Sequence, residues 1–287
     1  MEEITIESFD GFPLATAYFP IEDPKGIVQI IHGSLEYKER YYALIEYLNN
    51  AGYSCIICDL RGHGHSVTGS YPFGHLENVD ELINDQMEVT KYVKERNPGL
   101  PMTLIGHSLG SQLARCYIQE HDDEIDHLIL SGVVNYHSAA SMGAALTHLC
   151  GSKYGHRKFL LSLSGMPADK YEWISYNREN IEDFENNPLN GHEFTIGGYK
   201  VLFQSNAEIG KLKKYKCKNS SLKIALMSGV DDPITGGAEG LADSEKKLRQ
   251  IGYDHVTNTV YDHMMHEIFN EYDKEKVYKD VVSFIES

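Results

Sequence analysis

Residues 102–116, MTLIGHSLGSQLARC, change hydrophobic rhythm midway. Residues 102–105 are a short apolar run of the kind that fills a buried strand. From Ser108 onward apolar residues return at helical spacing, with Leu109 and Leu113 one turn apart. Between the two lies Gly106-His107-Ser108-Leu109-Gly110, a G-x-S-x-G pattern at a strand-to-helix junction. A serine on so sharp a turn is pushed into a strained, exposed position, and flanking glycines let neighbouring backbones approach without a Cβ in the way. The following helix then points free N–H groups at whatever that serine attacks. In a chain with 25 glycines the pattern alone is a weak signal, so its surroundings decide its weight.

Working outward, GIVQIIHG (26–33), GYSCIICD (52–59), DHLILSG (126–132), LKIALMSG (222–229) and HVTNTVYD (255–262) read as further strands. EEITIES (2–8) and LATAYFP (14–20) open the chain as a hairpin. Helical patterns fall between them at about 39–51, 78–97, 108–120, 239–251 and 273–285. Asn78 and Glu81 form a capping-box signal at the start of the second, and NPG stops it. Strands alternating with helices of this length predict an α/β fold with a mostly parallel, eight-stranded sheet covered by helices on both faces. Residues 136–218 differ in texture, being rich in Ser, Asn, Lys and Tyr with short amphipathic patches. They are expected to form a helical cap inserted into a core made of residues 1–135 and 219–287.

Composition narrows the function. The 287 residues suffice for one large domain with an insertion, and 41% hydrophobic residues fit a globular protein. No run of 18 apolar residues is present, so stable membrane insertion is not expected. The acidic opening MEEITIESFD is unlike a signal peptide, which makes a cytoplasmic location the expectation. A net charge of −16 repels nucleic acid and anionic lipid, and the basic cluster KLKKYKCK (211–218) reads as a solvated turn. Five cysteines, an odd number, indicate reduced thiols. Cys55 and Cys58 make a C-x-x-C, but residues three apart on a strand point to opposite faces, so redox or zinc chemistry is not expected there. DLRGHGHS (59–66) lacks the G-K-[ST] ending of a phosphate loop and reads as a tight turn, with His63 and His65 as turn or surface residues.

A serine hydroxyl is a poor nucleophile at neutral pH and needs a base, itself oriented by a third group. Strand-ending SGVDDP offers Asp231 and Asp232 as the third group, and VYDHMMHE offers His263 and His266 as the base. A metal reading of the histidine pair is weak, because two ligands on one loop fall short of the three a catalytic zinc needs.

Five stretches, IIHGSLEYKERY (30–41), DLRGHGHS, LIGHSLGS (104–111), SGVDDP and YDHMMHEIFNE (261–271), occur in the order of a known family. With them the chain resembles the α/β-hydrolases of the monoacylglycerol lipase and lysophospholipase type, grouped with serine aminopeptidase-like hydrolases. The resemblance spans nearly everything outside the cap. It implies Ser108 as nucleophile, Asp232 as acid and His266 as base, with the N–H groups of Ser34 and Leu109 as the oxyanion hole. Pro233 adds a physical reason to prefer Asp232, since it restricts the residue before it. Glu36 and Arg40 match polar positions near the family's pocket, but a structural ion pair is an equal reading.

The activity implied is hydrolysis of a carboxylic ester, monoacylglycerol or lysophospholipid, through an acyl-enzyme. A short-chain carboxylesterase, thioesterase or aminopeptidase on the same fold are alternatives, and a catalytically silent ligand-binding protein is the non-enzymatic one. Dehalogenases and epoxide hydrolases fit less well, because they resemble enzymes with aspartate at the position of Ser108. The expected partner is a small ester or lipid, no metal or organic cofactor is implied, and the oligomeric state is left open. Met142, Leu146, Leu149, Phe159, Leu160, Leu163, Met166 and Trp173 could line an acyl-chain pocket or serve as the cap's own core, with Met142, Leu146 and Trp173 as substrate-binding candidates.

Overall fold

The computed structural model describes residues 1–164, 167, 171–191 and 193–287. Met166, one of the acyl-pocket candidates, lies outside them. The strands are β1 (Glu2–Glu7), β2 (Pro13–Phe19), β3 (Gly26–Ile31), β4 (Tyr53–Cys58), β5 (Met102–His107), β6 (His127–Ser131), β7 (Lys223–Gly229) and β8 (His255–Tyr261). They form one sheet in the order β1-β2-β4-β3-β5-β6-β7-β8. β2 pairs antiparallel with both its neighbours, and every other pairing is parallel.

The helices are α1 (Tyr42–Asn50), α2 (Val79–Arg96), α3 (Leu109–His121), α4 (Ala140–Thr147), α5 (Lys158–Ser164), α6 (Arg178–Asn186), α7 (Ile196–Ile209), α8 (Gly237–Ile251) and α9 (Lys274–Ile285). Central strands are buried on both faces, and their alternate residues feed two cores. Val28, Ile30, Ile57, Ile105 and Ile129 pack with Leu44 and Leu48 of α1 and Val277 and Val281 of α9. Ile27, Ile31, Ile56, Leu104 and Leu128 pack with α2, α3 and α8 on the other face. The C-x-x-C divides as strand geometry requires, Cys55 entering the first core and Cys58 the second.

Asn78 caps α2 by accepting from Glu81 N–H at 2.9 Å, and its own amide donates to the Glu81 carboxylate at 2.8 Å. The first predicted helix is divided: Lys38–Tyr41 is a 3-10 turn and only Tyr42–Asn50 is α-helical. His63 sits in the turn, as expected, and is buried there against the His32 and Phe194 rings, with centroids 5.4 and 6.2 Å away. His65 is exposed.

Between β6 and β7 lie α4, α5, α6 and α7, with no strand among the described residues. Tyr199, Val201, Leu202 and Phe203 of α7 share a core with α3, which seats this segment above the helix that follows Ser108. No helix of the described residues is long and apolar enough to cross a membrane. Each of Lys211, Lys214, Lys216 and Lys218 in the basic cluster faces an acidic side chain.

The order of strands reverses at β3. The chain steps from β3 to β4 on one side, then returns to place β5 on the other. Such a switch opens a crevice at the carboxyl ends of the two diverging strands. Ser34 follows β3 and Ser108 follows β5, so both stand at that crevice.

Candidate active site

Ser108 adopts φ 53° and ψ −117°, a region that side-chain-bearing residues seldom enter. The surrounding backbone holds it there. Its N–H donates to Ser131 O at 3.0 Å, and its carbonyl accepts from Ser111 N–H at 2.8 Å and Ser111 Oγ at 2.7 Å. The glycine two residues later permits the turn to sit close to β3. A Cβ on Gly110 would lie 2.1 Å from Ile31 O and 2.7 Å from His32 O.

The loop after β3 is equally constrained. His32 Nδ1 donates to Gly33 O at 2.8 Å while Nε2 accepts Leu60 N–H at 2.9 Å, a pairing that only the neutral Nδ1–H tautomer satisfies. Burial holds this imidazole's pKa down at about 4. Leu35 has φ 59°, and Gly33 N–H is taken by the Glu36 carboxylate. Ser34 N–H and the first helical N–H, of Leu109, have no hydrogen-bond partner among the described residues. Two free donors therefore stand on the two loops that meet at the switch point.

His266 Nδ1 lies 2.9 Å from Asp232 Oδ2, while Asp232 Oδ1 accepts Ile234 N–H at 2.9 Å across Pro233. Burial works to depress the His266 pKa, but the Asp232 charge and hydrogen bond, then Glu267 and Glu36, outweigh it, and the net shift is upward. The ring is enclosed by His107 at 4.8 Å and Trp173 at 5.1 Å between centroids. His107 is itself held well below the usual histidine range by burial and then by the neighbouring His266. Ser108 and His266 border the same cavity, although no hydrogen bond joins them in this structure.

That cavity measures about 600 Å³. Its floor includes Ser34, Glu36, Ser108, Leu109 and His266, and its walls include Met142, Leu146, Leu163 and Trp173. Leu161, Tyr171, Phe184, Leu202 and Phe203 are among the other apolar residues of the lining. The other acyl-pocket candidates fall elsewhere: Leu149 is 82% exposed, Phe159 is half exposed, and Leu160 is buried away from the cavity wall. Asp231 is exposed and accepts from Tyr176 OH at 3.0 Å, while His263 is exposed and absent from the cavity wall.

Arg40 stands behind the wall. Its Nε donates to Glu36 Oε2 at 3.1 Å, Nη1 to Asp183 at 2.8 Å, and Nη2 to Asn180 at 2.9 Å and to Glu267. Glu36 precedes the 3-10 turn, so the pair joins the loop after β3 to that turn and does not lie along a helix face. The Glu36 carboxyl is pushed up by burial and by the nearby Glu267 charge, against the pull of Arg40. Sequence reasoning passed over Glu267 and Glu271. Two acids four residues apart, flanking Ile268 and Phe269, were the signal, and both prove buried.

Comparison with known proteins adds a family. Residues 22–273 match the family described as serine aminopeptidase, S33. A monoacylglycerol lipase of Mycolicibacterium smegmatis is 24% identical over 272 residues, covering 93% of this chain and 90% of that protein. A phospholipase of Bacillus subtilis is 26% identical, covering 91% and 95% respectively. Among solved structures, a thermostable carboxyl esterase from Bacillus coagulans, in complex with glycerol, superposes with a TM-score of 0.89 at 28% identity, over 99% of this chain and 97% of that one.

Proposed function

The chain belongs to the serine aminopeptidase S33 family and is a serine hydrolase acting on esters, and we propose that it cleaves monoacylglycerol or lysophospholipid through an acyl-enzyme on Ser108. One observation carries the proposal: an oriented His266–Asp232 pair and Ser108 share the floor of a cavity whose walls are mainly apolar. An acyl chain fits such walls, because each buried methylene gains about 0.8 kcal/mol on leaving water.

In the mechanism proposed, Ser108 Oγ attacks the ester carbonyl as His266 Nε2 takes its proton. Asp232 keeps the imidazole proton on Nδ1 and stabilises the imidazolium. The carbonyl oxygen gains negative charge and is received by Ser34 and Leu109 N–H, donors of a kind typically worth about 3 kcal/mol each. His266 then returns its proton to the leaving alcohol, and water repeats the sequence on the acyl-enzyme. We propose that residues 136–218 act as a cap and supply Met142, Leu146 and Trp173 to the acyl chain. The matching relatives named for monoacylglycerol and phospholipid substrates support the choice of substrate class. A reducing, cytoplasmic setting fits five unpaired cysteines.

A panel of monoacylglycerols, lysophospholipids and chromogenic esters of graded chain length tests this reading. Hydrolysis should be fastest with medium or long acyl chains and absent in Ser108→Ala. A variant as fast as the parent rejects the mechanism, and a preference for acetyl esters favours a short-chain carboxylesterase. The aminopeptidase alternative has one observation in its favour: Glu193 borders the cavity with a buried oxygen lacking a partner among the described residues, an acceptor that suits an ammonium group. Peptide arylamides and thioesters in the same panel separate these chemistries, and a silent binding protein would leave a fluorophosphonate unreacted.

A further inference from the structure

Glu271 is 2% exposed, and no lysine or arginine pairs with it among the described residues. A carboxylate removed from water without a cation has to be compensated by dipoles aimed at it. Four hydrogen bonds supply them. Met265 N–H donates at 2.8 Å, Tyr176 N–H at 3.0 and 3.1 Å to the two oxygens, and Ser175 Oγ at 2.8 Å.

Those donors come from two separate places. Met265 immediately precedes His266, whereas Ser175 and Tyr176 belong to the segment between β6 and β7. On the other side of the histidine, Glu267 N–H donates to Ile174 O at 2.7 Å. His266 is thus bracketed: the residue before it is tied through Glu271 to residues 175 and 176, and the residue after it is tied directly to Ile174. Trp173, next in line, lays its ring 5.1 Å from the imidazole. Asn177 Nδ2 to Asn270 O at 2.8 Å and Tyr176 OH to Asp231 extend the same attachment to both triad loops.

We infer that Glu271 is a positioning residue for hydrolysis: by clamping the loop of His266 onto residues 175 and 176, it fixes the imidazole relative to Ser108. The inference rests on the serine-hydrolase reading. Its physical basis is that a misplacement of about 1 Å in a reacting group can cost about 100-fold in rate. A role confined to stability would lower the melting temperature and leave turnover by the folded enzyme unchanged.

The test compares the full chain with Glu271→Met and Glu271→Gln, using 4-nitrophenyl acetate and a fluorophosphonate. Methionine keeps the volume and removes every acceptor. Glutamine keeps one oxygen for the two N–H groups and can donate to Ser175 Oγ. We expect Glu271→Met to lose roughly 10- to 100-fold in kcat and in labelling rate, with KM changed by about 2-fold or less. Glu271→Gln should recover to within about 3-fold of the parent. A folded methionine variant with full kcat, or a glutamine variant as slow as the methionine one, overturns the inference. Should Glu271→Met fail to fold, Ser175→Ala decides: a drop of about 3-fold or more in kcat supports the clamp, and an unchanged kcat removes it. A parent unreactive to both reagents removes the hydrolase reading itself, whereas a reactive parent with full-rate variants removes the clamp alone.

Discussion

Arg40 and Glu36 form an ion pair with 3.1 Å between Nε and Oε2, and both side chains are only 2% exposed. Glu36 also holds Gly33 N–H and the Tyr41 hydroxyl, so the pair anchors the loop that carries Ser34. The same guanidinium reaches Asp183 and Asn180 on α6 and Glu267 beside His266. One cation therefore joins the proposed oxyanion loop, the segment above it and the histidine loop.

Arg40→Met should remove that junction and leave Glu36 and Glu267 facing each other without a cation. Breaking one side of a buried pair costs about 3–5 kcal/mol. A urea titration should show a loss of that size, together with impaired turnover. Arg40→Lys should restore only part, because an ammonium cannot present the planar fork that meets four partners. A variant as stable as the parent would show that the network contributes nothing.

The pH profile follows from His266. The proposed base works only when neutral, and its pKa is raised above the ordinary 6.5, chiefly by Asp232 against the effect of burial. The acid limb of kcat/KM should accordingly lie above 6.5. Asp232→Asn removes the charge that raises it, so that limb should move to lower pH while kcat falls about 10⁴-fold through loss of the correct tautomer. An unmoved limb would mean that another group governs the profile.

These residues differ in how readily the sequence reveals them, and the reason is physical. Ser108 is set by local backbone, so a strand, a glycine turn and a helix in a row were enough to mark it. Place at the ends of β7 and β8 marked Asp231 with Asp232 and His263 with His266, and the family resemblance, helped at Asp232 by Pro233, chose within each pair. Ser175 and Tyr176 meet Glu271 across nearly a hundred positions, and nothing in either stretch alone records that contact. Leu149, Phe159 and Leu160 carried the same hydrophobic signal as Met142 and Leu146. Only the direction each takes from its helix separates cavity wall from exposed surface or core.

Acid should weaken the fold before it protonates most carboxylates. Burial depresses His32 to about 4 and His63 to about 3, both from 6.5. Between those values and 6.5 the unfolded chain binds protons that the folded chain refuses, so stability rises with pH and is lost as pH falls. For His32 alone the shift corresponds to about 3 kcal/mol. Glu36, Asp59, Asp85 and His266, whose folded pKa values are raised, work in the opposite direction, against these two histidines and His75, His107, His121 and His127, which burial depresses likewise. Urea midpoints measured from pH 6.5 to 4.5 should fall steadily. A flat profile would show that these rings accept protons where they sit.

Gly110 and Gly69 provide a matched pair for the geometry of the oxyanion site. A Cβ at Gly69 meets nothing within 4 Å, so Gly69→Ala should change stability by about 0.5 kcal/mol or less. At Gly110 the same methyl would lie 2.1 Å from Ile31 O and 2.7 Å from His32 O, both backbone atoms at the root of the Ser34 loop. Neither can rotate aside, so the loop and α3 have to separate. Gly110→Ala should lose about 1–3 kcal/mol by overpacking, and it should widen the gap between Ser34 N–H and Leu109 N–H. If those two donors share the developing oxyanion, displacing one should lower kcat about 100-fold, with KM for a short ester little changed. Thermal melts and ester kinetics on both variants check the pair, and a stable, fully active Gly110→Ala would show that the close approach of the two loops is not required for turnover.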